Sequence, residues 1–260
     1  MSATPASAFS AASWTGRGRL IAWRHPEWWS LALSAGAAAA LVVAHTRVFS
    51  DASIAASAGH HASSPAPPSI ATAATIALVQ WLLMVVAMMV PLAAGAIRTT
   101  AARSLWRRRH RAIAAFLAGY LAPWAIAGIV VSIGVTLWMP SNSRAIATTT
   151  AVALAIAALW QTSATKRRAL MACHGTRPLA PAGWIAVRDG LRYGASIGGH
   201  CLTSCWALML TCAILGHHPA VMTAATAIGV AERMTPRADA RTTSTTLAGL
   251  AMISLVVALA

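Results

Sequence analysis

GGHCLTSCWALMLTCAILG, residues Gly198–Gly216, is an apolar run of membrane-spanning length that contains no Asp, Glu, Lys or Arg. Within it Cys201, Cys205 and Met209 recur every fourth residue. On an α-helix their sulfurs stack along one face at steps of ~6 Å, with His200 and Trp206 beside them. A second apolar run, WLLMVVAMMVP at Trp81–Pro91, carries Met84, Met88 and Met89. Thiol and thioether sulfur are soft donors that suit Cu(I) and similar ions better than hard cations. Whether the two helices meet decides between a metal site and plain packing.

The 260 residues are 58% hydrophobic, with a mean hydropathy of +0.64, well beyond the apolar share of a soluble domain. Seven windows are apolar enough to span a bilayer: about 28–48, 70–96, 112–138, 145–163, 193–216, 217–232 and 243–260. The sixth and seventh are the weakest, being short or Thr-rich. Ala, Gly, Ser and Thr fill these windows and let backbones approach closely in lipid. The expected fold is all-α, a polytopic membrane bundle of about seven helices occupying 28–260, preceded by a flexible cytoplasmic tail at 1–27. Ala56-Ser57-Ala58 resembles a small-residue cleavage site, but about 28 residues precede the first apolar run, which favours an uncleaved anchor. Cleavage there, or a last window that does not span, leaves six helices.

The net charge of +15 comes almost wholly from alternate loops. Eighteen of the 20 basic residues lie before the first window or between the second and third, fourth and fifth, and sixth and seventh; only Arg47 and Arg144 lie on the other side. The positive-inside rule therefore puts the amino terminus and those loops in the cytoplasm, in a multi-pass protein of the bacterial inner membrane. The basic loops are expected to bind anionic lipid headgroups. No aromatic-interleaved basic motif accompanies the charge, so nucleic acid is not an expected partner.

Other chemistry finds little support. The five acidic residues are scattered, with no paired-carboxylate arrangement, and there is no Gly-rich phosphate loop, nucleotide or flavin motif, or serine-hydrolase elbow. The four cysteines do not form a disulfide framework: Cys173 falls in a reducing loop, while Cys201 and Cys205 are one helical turn apart. On the outer side, His60 and His61 in a Pro-ended loop, with His217 and His218, read as solvated loop or as a weak metal-capture point. Glu232 is expected to pair with Arg233 or a neighbouring loop, and Tyr120 and Trp124 to pack in the core.

Depth can be counted from the bounding charges. Met88 lies 10 residues before Arg98 and Cys201 nine after Arg192, each roughly 14 Å along the helix, and Met84 and Cys205 both lie roughly 20 Å away. Neighbouring second and fifth spans would bring the ladders face to face. Met84, Met88, Met89, His200, Cys201, Cys205 and Met209 are then the candidate metal ligands. Against this, Met and free Cys pack well in helix interfaces without any metal. His200 brings the two readings nearer to even, since an ionisable group within a span is expensive, though alone it could instead donate to a backbone carbonyl and tie two helices together.

Several fragments, in order, resemble a bacterial family of predicted metal-binding integral membrane proteins whose defining domain has no assigned function. They are Trp81–Pro91, AGY at Ala118–Tyr120 with Trp124, KRRALMACHGTRP at Lys166–Pro178, CLTSCWALM at Cys201–Met209 with Gly216, and ERMTP at Glu232–Pro236. They cover a core of about 76–236. Ala169 and Ser204 stand where the family often has a cysteine. The resemblance implies a polytopic membrane protein that binds a transition metal, with the Met and Cys residues above at characteristic positions. Taken with their soft donor chemistry, the leading reading is a protein that handles a soft metal, most plausibly copper, with a metal-carrying or membrane protein as partner. The competing readings are a small transporter, with Pro91, Pro123, Gly198 and Gly199 as candidate helix breaks, an accessory or scaffold subunit whose sulfurs only pack, and, ranked low, a metal-dependent oxidoreductase.

Overall fold

The computed structural model describes residues 25–57, 69–138, 142–234 and 240–259. The tail at 1–27 lies outside them except for its last three residues, and His60 and His61 lie outside them too. Nine α-helices are described, with no strand among the described residues: α1 Trp28–Ser57, α2 Ile70–Leu92, α3 Ala94–Ala102, α4 Arg109–Trp138, α5 Ser143–Gln161, α6 Ala164–Ala172, α7 Gly183–Ile214, α8 Pro219–Met234 and α9 Ala240–Leu259.

Local chemistry sets several ends. The Ser69 and Asn142 side chains accept from Thr72 N and Ala145 N to start α2 and α5, and Ser163 caps α6. α7 closes in a Schellman arrangement, with Gly216 N donating to Ala213 O and His217 N to Cys212 O, and Gly216 at φ 62°. Pro91 lies inside α2 and the helix stops one residue later; α3 starts afresh after Ala93.

α4 and α7 make the most extensive pairing, and α2 packs on α4. α1 covers α2, α8 bridges α2 and α7, and α5 and α9 form a pair against α7. The sulfur residues belong to the main core, with Trp81, Phe116, Tyr120 and Trp124; a smaller core of Leu154, Ala157, Ala158, Leu208, Leu247 and Ala251 joins α5, α7 and α9.

Among the described residues five helices are long and apolar enough to cross a membrane: Trp28–Arg47, Ile70–Leu92, Trp106–Trp138, Ser143–Gln161 and Gly183–Ile214. Five of the seven expected windows are therefore full-length apolar helices among the described residues. α8 has only 16 residues, and the apolar part of α9 that is described is Thr243–Ile253. Outward-facing Ile126, Val130, Leu137 and Trp138 give α4 the apolar exterior that lipid accepts. The basic segments gather at one end. There Glu27 pairs with Arg98 at 2.5 Å, Arg103 donates to Arg177 O, and Lys166 pairs with Glu232 at 2.8 Å. At the other end the His45 and His218 rings meet edge to face, their centroids 5.1 Å apart.

Two expectations about helix continuity change. α4 runs unbroken through Pro123, and α7 through Gly198 and Gly199, so of the candidate breaks only Pro91 coincides with a helix end. The glycines serve packing instead.

Candidate metal centre

Gly190, Gly194 and Gly198 recur every fourth residue on α7 and lay its backbone against α4. A Cβ at Gly194 would overlap the Phe116 carbonyl oxygen and reach Tyr120 N at 2.8 Å, and one at Gly198 would overlap the Tyr120 carbonyl oxygen, contacts closer than real side chains allow. Absent side chains therefore bring the two backbones together. This approach carries the fully buried Tyr120 to the cysteine one turn beyond Gly198. Its hydroxyl lies 3.1 Å from Cys201 Sγ and 3.0 Å from Met89 O.

The break after Pro91 supplies the opposite wall. Met89 O accepts from Ala93 N as well as from Tyr120, while Leu92 O, at the end of α2, accepts from Arg233 Nη1 at 2.5 Å. The other terminal nitrogen of Arg233, Nη2, reaches Cys201 Sγ at 3.1 Å. Met89 Sδ lies 3.8 Å from the same sulfur. Cys201 thus sits among a phenol, a guanidinium and a thioether contributed by three other helices. The guanidinium can only donate, so at this sulfur it favours the acceptor role that a thiolate fills best.

Cys205, one turn on, interacts with Cys201 directly and lies 3.4 Å from the Ser204 hydroxyl, which also bonds Cys201 O. Cys173, just after α6, is buried near the same group: Arg233, Cys205 and Ser204 all act on it. Burial pushes the Cys173 thiol up to about 11, against the attraction of Arg233. Three thiols and one thioether therefore share a region with one guanidinium. All four cysteines are free. Among the described residues no three His, Cys, Asp or Glu side chains are already arranged as a metal-ligand set.

The sequence-predicted ligands divide. Met89, Cys201 and Cys205 come together. Met84 and Met209 are fully buried in the same core, farther along it. Met88, expected opposite Cys201, instead lines an apolar groove with Leu41 and Met222 between α1, α2 and α8, and Met89 takes its place at the thiol. A count of rise from the bounding charges gives the level along a helix but not the face turned to its neighbour, and Met88 and Met89 on the same helix point about 100° apart. His200 is half-buried and has no hydrogen bond among the described residues, so it is not joined to the cluster. Of the two partners expected for Glu232, the neighbouring loop supplies the one found: Lys166, between the fourth and fifth windows.

Tyr120, Cys173 and Arg233 were not among the predicted ligands. None lies on the sulfur-bearing faces of α2 or α7, but each falls inside a fragment that carried the family resemblance: AGY, MACHG and ERMTP. That grouping was the signal available.

A family model described as PpoB2, copper chaperone, matches residues 78–258, a span that contains every residue of this centre. No curated protein and no solved structure matches the chain.

Proposed function

This chain belongs to the PpoB2 copper chaperone family, and from that premise we propose that it is an integral membrane protein that carries Cu(I) as cargo on the sulfurs of Cys201, Cys205 and Met89. The observation that carries the reading is the 3.8 Å approach of Met89 Sδ to Cys201 Sγ between α2 and α7, beside a guanidinium that bonds the same thiol. Soft thiolate and thioether donors select Cu(I). On loading, each coordinating thiol exchanges its proton for a bond to copper, and Met89 adds a neutral donor. Tyr120 and Arg233 hold Cys201 in place and offset the negative charge that the thiolates bring. The five long apolar helices support membrane insertion, and the alternating basic loops support an inward amino terminus in a bacterial inner membrane. Anionic lipid and a copper-receiving protein are the proposed partners; Met84, Met209 and Met88 are accessory sulfurs of the same bundle.

The test is copper retention by detergent-purified protein loaded anaerobically with Cu(I) and then dialysed. The parent is expected to retain about one copper per chain. Cys201→Ser, Cys205→Ser and Met89→Leu should each lose most of it, since a hydroxyl or a methyl group replaces a soft donor of similar size. Cys212→Ser and Met88→Leu should behave like the parent. Retention by all three cluster variants, or no binding by the parent, removes the reading.

A further inference from the structure

At the end of α7 away from the basic loops, a cavity of about 260 Å³ opens among α2, α4 and the turn after α7. Ala77, Gln80, Trp81, Ser132, Ala213 and His217 are among its lining residues. Two polar atoms on its wall are buried with no hydrogen-bond partner among the described residues, Ser132 Oγ and His217 Nε2. Ser132 is only 3% exposed. Unpartnered buried polar atoms are costly and rare, and a cavity of this size is roomy enough for several waters or a partly hydrated ion.

His217 is held in this place at a price in backbone strain. Its φ is 59°, in the left-handed region that side chains with a Cβ seldom adopt. The Schellman bond from His217 N to Cys212 O, at 2.9 Å, fixes it there. Burial pulls the imidazole down to about 4, so at neutral pH the ring is uncharged and one nitrogen carries a free lone pair. His45 and His218 are the neighbouring titratable groups at this end, and their rings pack on each other.

Ala213 of α7 and Trp81 of α2 line the cavity beside His217. From Ala213 inward, Met209, Cys205 and Cys201 recur every fourth residue on α7, so the sulfur ladder begins one turn below the cavity lining. Met84 lies one turn inward from Trp81 on α2, and both Met84 and Met209 are fully buried. An uncharged imidazole at the mouth, two thioethers below it and thiols at the base form a run of progressively softer copper ligands.

We propose that this cavity is a second, transient copper site, in which His217 Nε2 takes the ion first and passes it by way of Met209 and Met84 to Cys205 and Cys201. Ser132 and Gln80 hold the water that the ion sheds. The proposal rests on the reading of the cysteine cluster as the cargo site, and adds the route by which that site fills. With the basic loops inside, the route begins on the outer face.

His217→Asn is the informative variant, because Asn tolerates the left-handed backbone yet lacks the imidazole. Two readouts on the full-length protein in detergent test the route. The first is the rate of anaerobic Cu(I) loading, followed by loss of alkylatable thiol. His217→Asn should load to the parent's final stoichiometry about ten-fold more slowly, the scale on which metal-site substitutions act. The second is the histidine ring-nitrogen NMR spectrum of the Cys201→Ser, Cys205→Ser double variant during additions of Ag(I), a soft, redox-inert monovalent cation. The His217 resonance should shift although the cluster is gone. An unchanged loading rate or an unmoved His217 resonance overturns the proposal. If the parent's cysteines bind no copper while the His217 resonance still shifts, the cluster reading falls and the outer site stands.

Discussion

Gly198→Ala and Gly199→Ala differ by one position on α7 and should change stability in opposite directions. Within a helix, replacing Gly by Ala gains about 1 kcal/mol from backbone entropy alone. At Gly199 nothing lies within 4 Å of the new methyl group, so the variant should show that gain. At Gly198 the methyl group would overlap the Tyr120 carbonyl, whose carbon lies at 3.0 Å, with Tyr120 Cα at 3.1 Å. The obstacle is backbone and cannot swing aside, so α4 and α7 must part by roughly 1 Å, at an overpacking cost of about 1–3 kcal/mol. The entropy gain offsets part of this, leaving Gly198→Ala less stable than the parent by up to about 2 kcal/mol. The same displacement stretches the Tyr120 hydroxyl contact to Cys201 from 3.1 Å to roughly 4 Å, beyond hydrogen-bonding range. Thermal unfolding in detergent, followed by the fluorescence of the 11 Trp residues, ranks the three proteins, and copper retention reads the effect on the site. If Gly198→Ala melts at or above the parent, the close seam is not what positions Tyr120, and the reasoning fails.

Four further outcomes follow from other contacts. Because the folded His217 ring is held near pKa 4 against about 6.5 when unfolded, the unfolded chain binds more protons in that window. Stability should therefore decline as pH falls from 6.5 to 4, and His217→Asn should flatten that part of the profile. Lys166→Met or Glu232→Gln strands a partner in the largely buried pair joining α6 to α8, so each should cost about 3–5 kcal/mol while the double variant recovers much of it; equal single and double losses would contradict this. Arg233→Gln should weaken Cu(I) retention about ten-fold or more, the scale of a hydrogen bond to a charged group, and leave Zn(II) binding little changed. Reporter fusions at Ser143 and His218 should read outside and those at Arg108 and Arg177 inside; an outside signal at Arg108 would invert the arrangement.

Spacing along single helices was legible without any structure. The four-residue recurrence of Cys201, Cys205 and Met209 and the Met cluster before Pro91 both identify segments that supply the centre, because helical periodicity converts local sequence directly into a face. What could not be read is relational. Met89 instead of Met88 faces Cys201 because adjacent residues of one helix point about 100° apart, and a rise per residue fixes their level but not which of them turns toward α7. Gly198 and Gly199 look alike in sequence as possible interruptions, yet one touches the α4 backbone and the other touches nothing, a difference that only the partner helix creates. Tyr120, Cys173 and Arg233 come from three separate segments and meet only through the packing of α4, α6 and α8 around α7, so no local pattern marks them as a group. The weak sixth and seventh windows are helices too, but α8 is shorter than a full span, and hydropathy alone does not separate a short buried helix from a crossing one.

Charge accounting explains why Arg233 turns inward. Its neighbour Glu232 is committed to Lys166, and among the described residues the guanidinium has no carboxylate partner; its contacts are the Leu92 carbonyl and Cys201 Sγ. A guanidinium cannot shed its proton to escape partial burial, so the empty form bears a desolvation cost with no full counter-charge to offset it. In the proposed loaded form, Cu(I) on two thiolates carries one net negative charge and sits where the guanidinium already points. At a separation of ~4 Å and an effective dielectric of about 20, such a pair is worth about 4 kcal/mol. A divalent ion on the same two thiolates is neutral and returns nothing to Arg233. On the proposed function, the cation that occupies the bundle beforehand favours a monovalent over a divalent cargo, and a recipient that drew Arg233 away would weaken the hold on it.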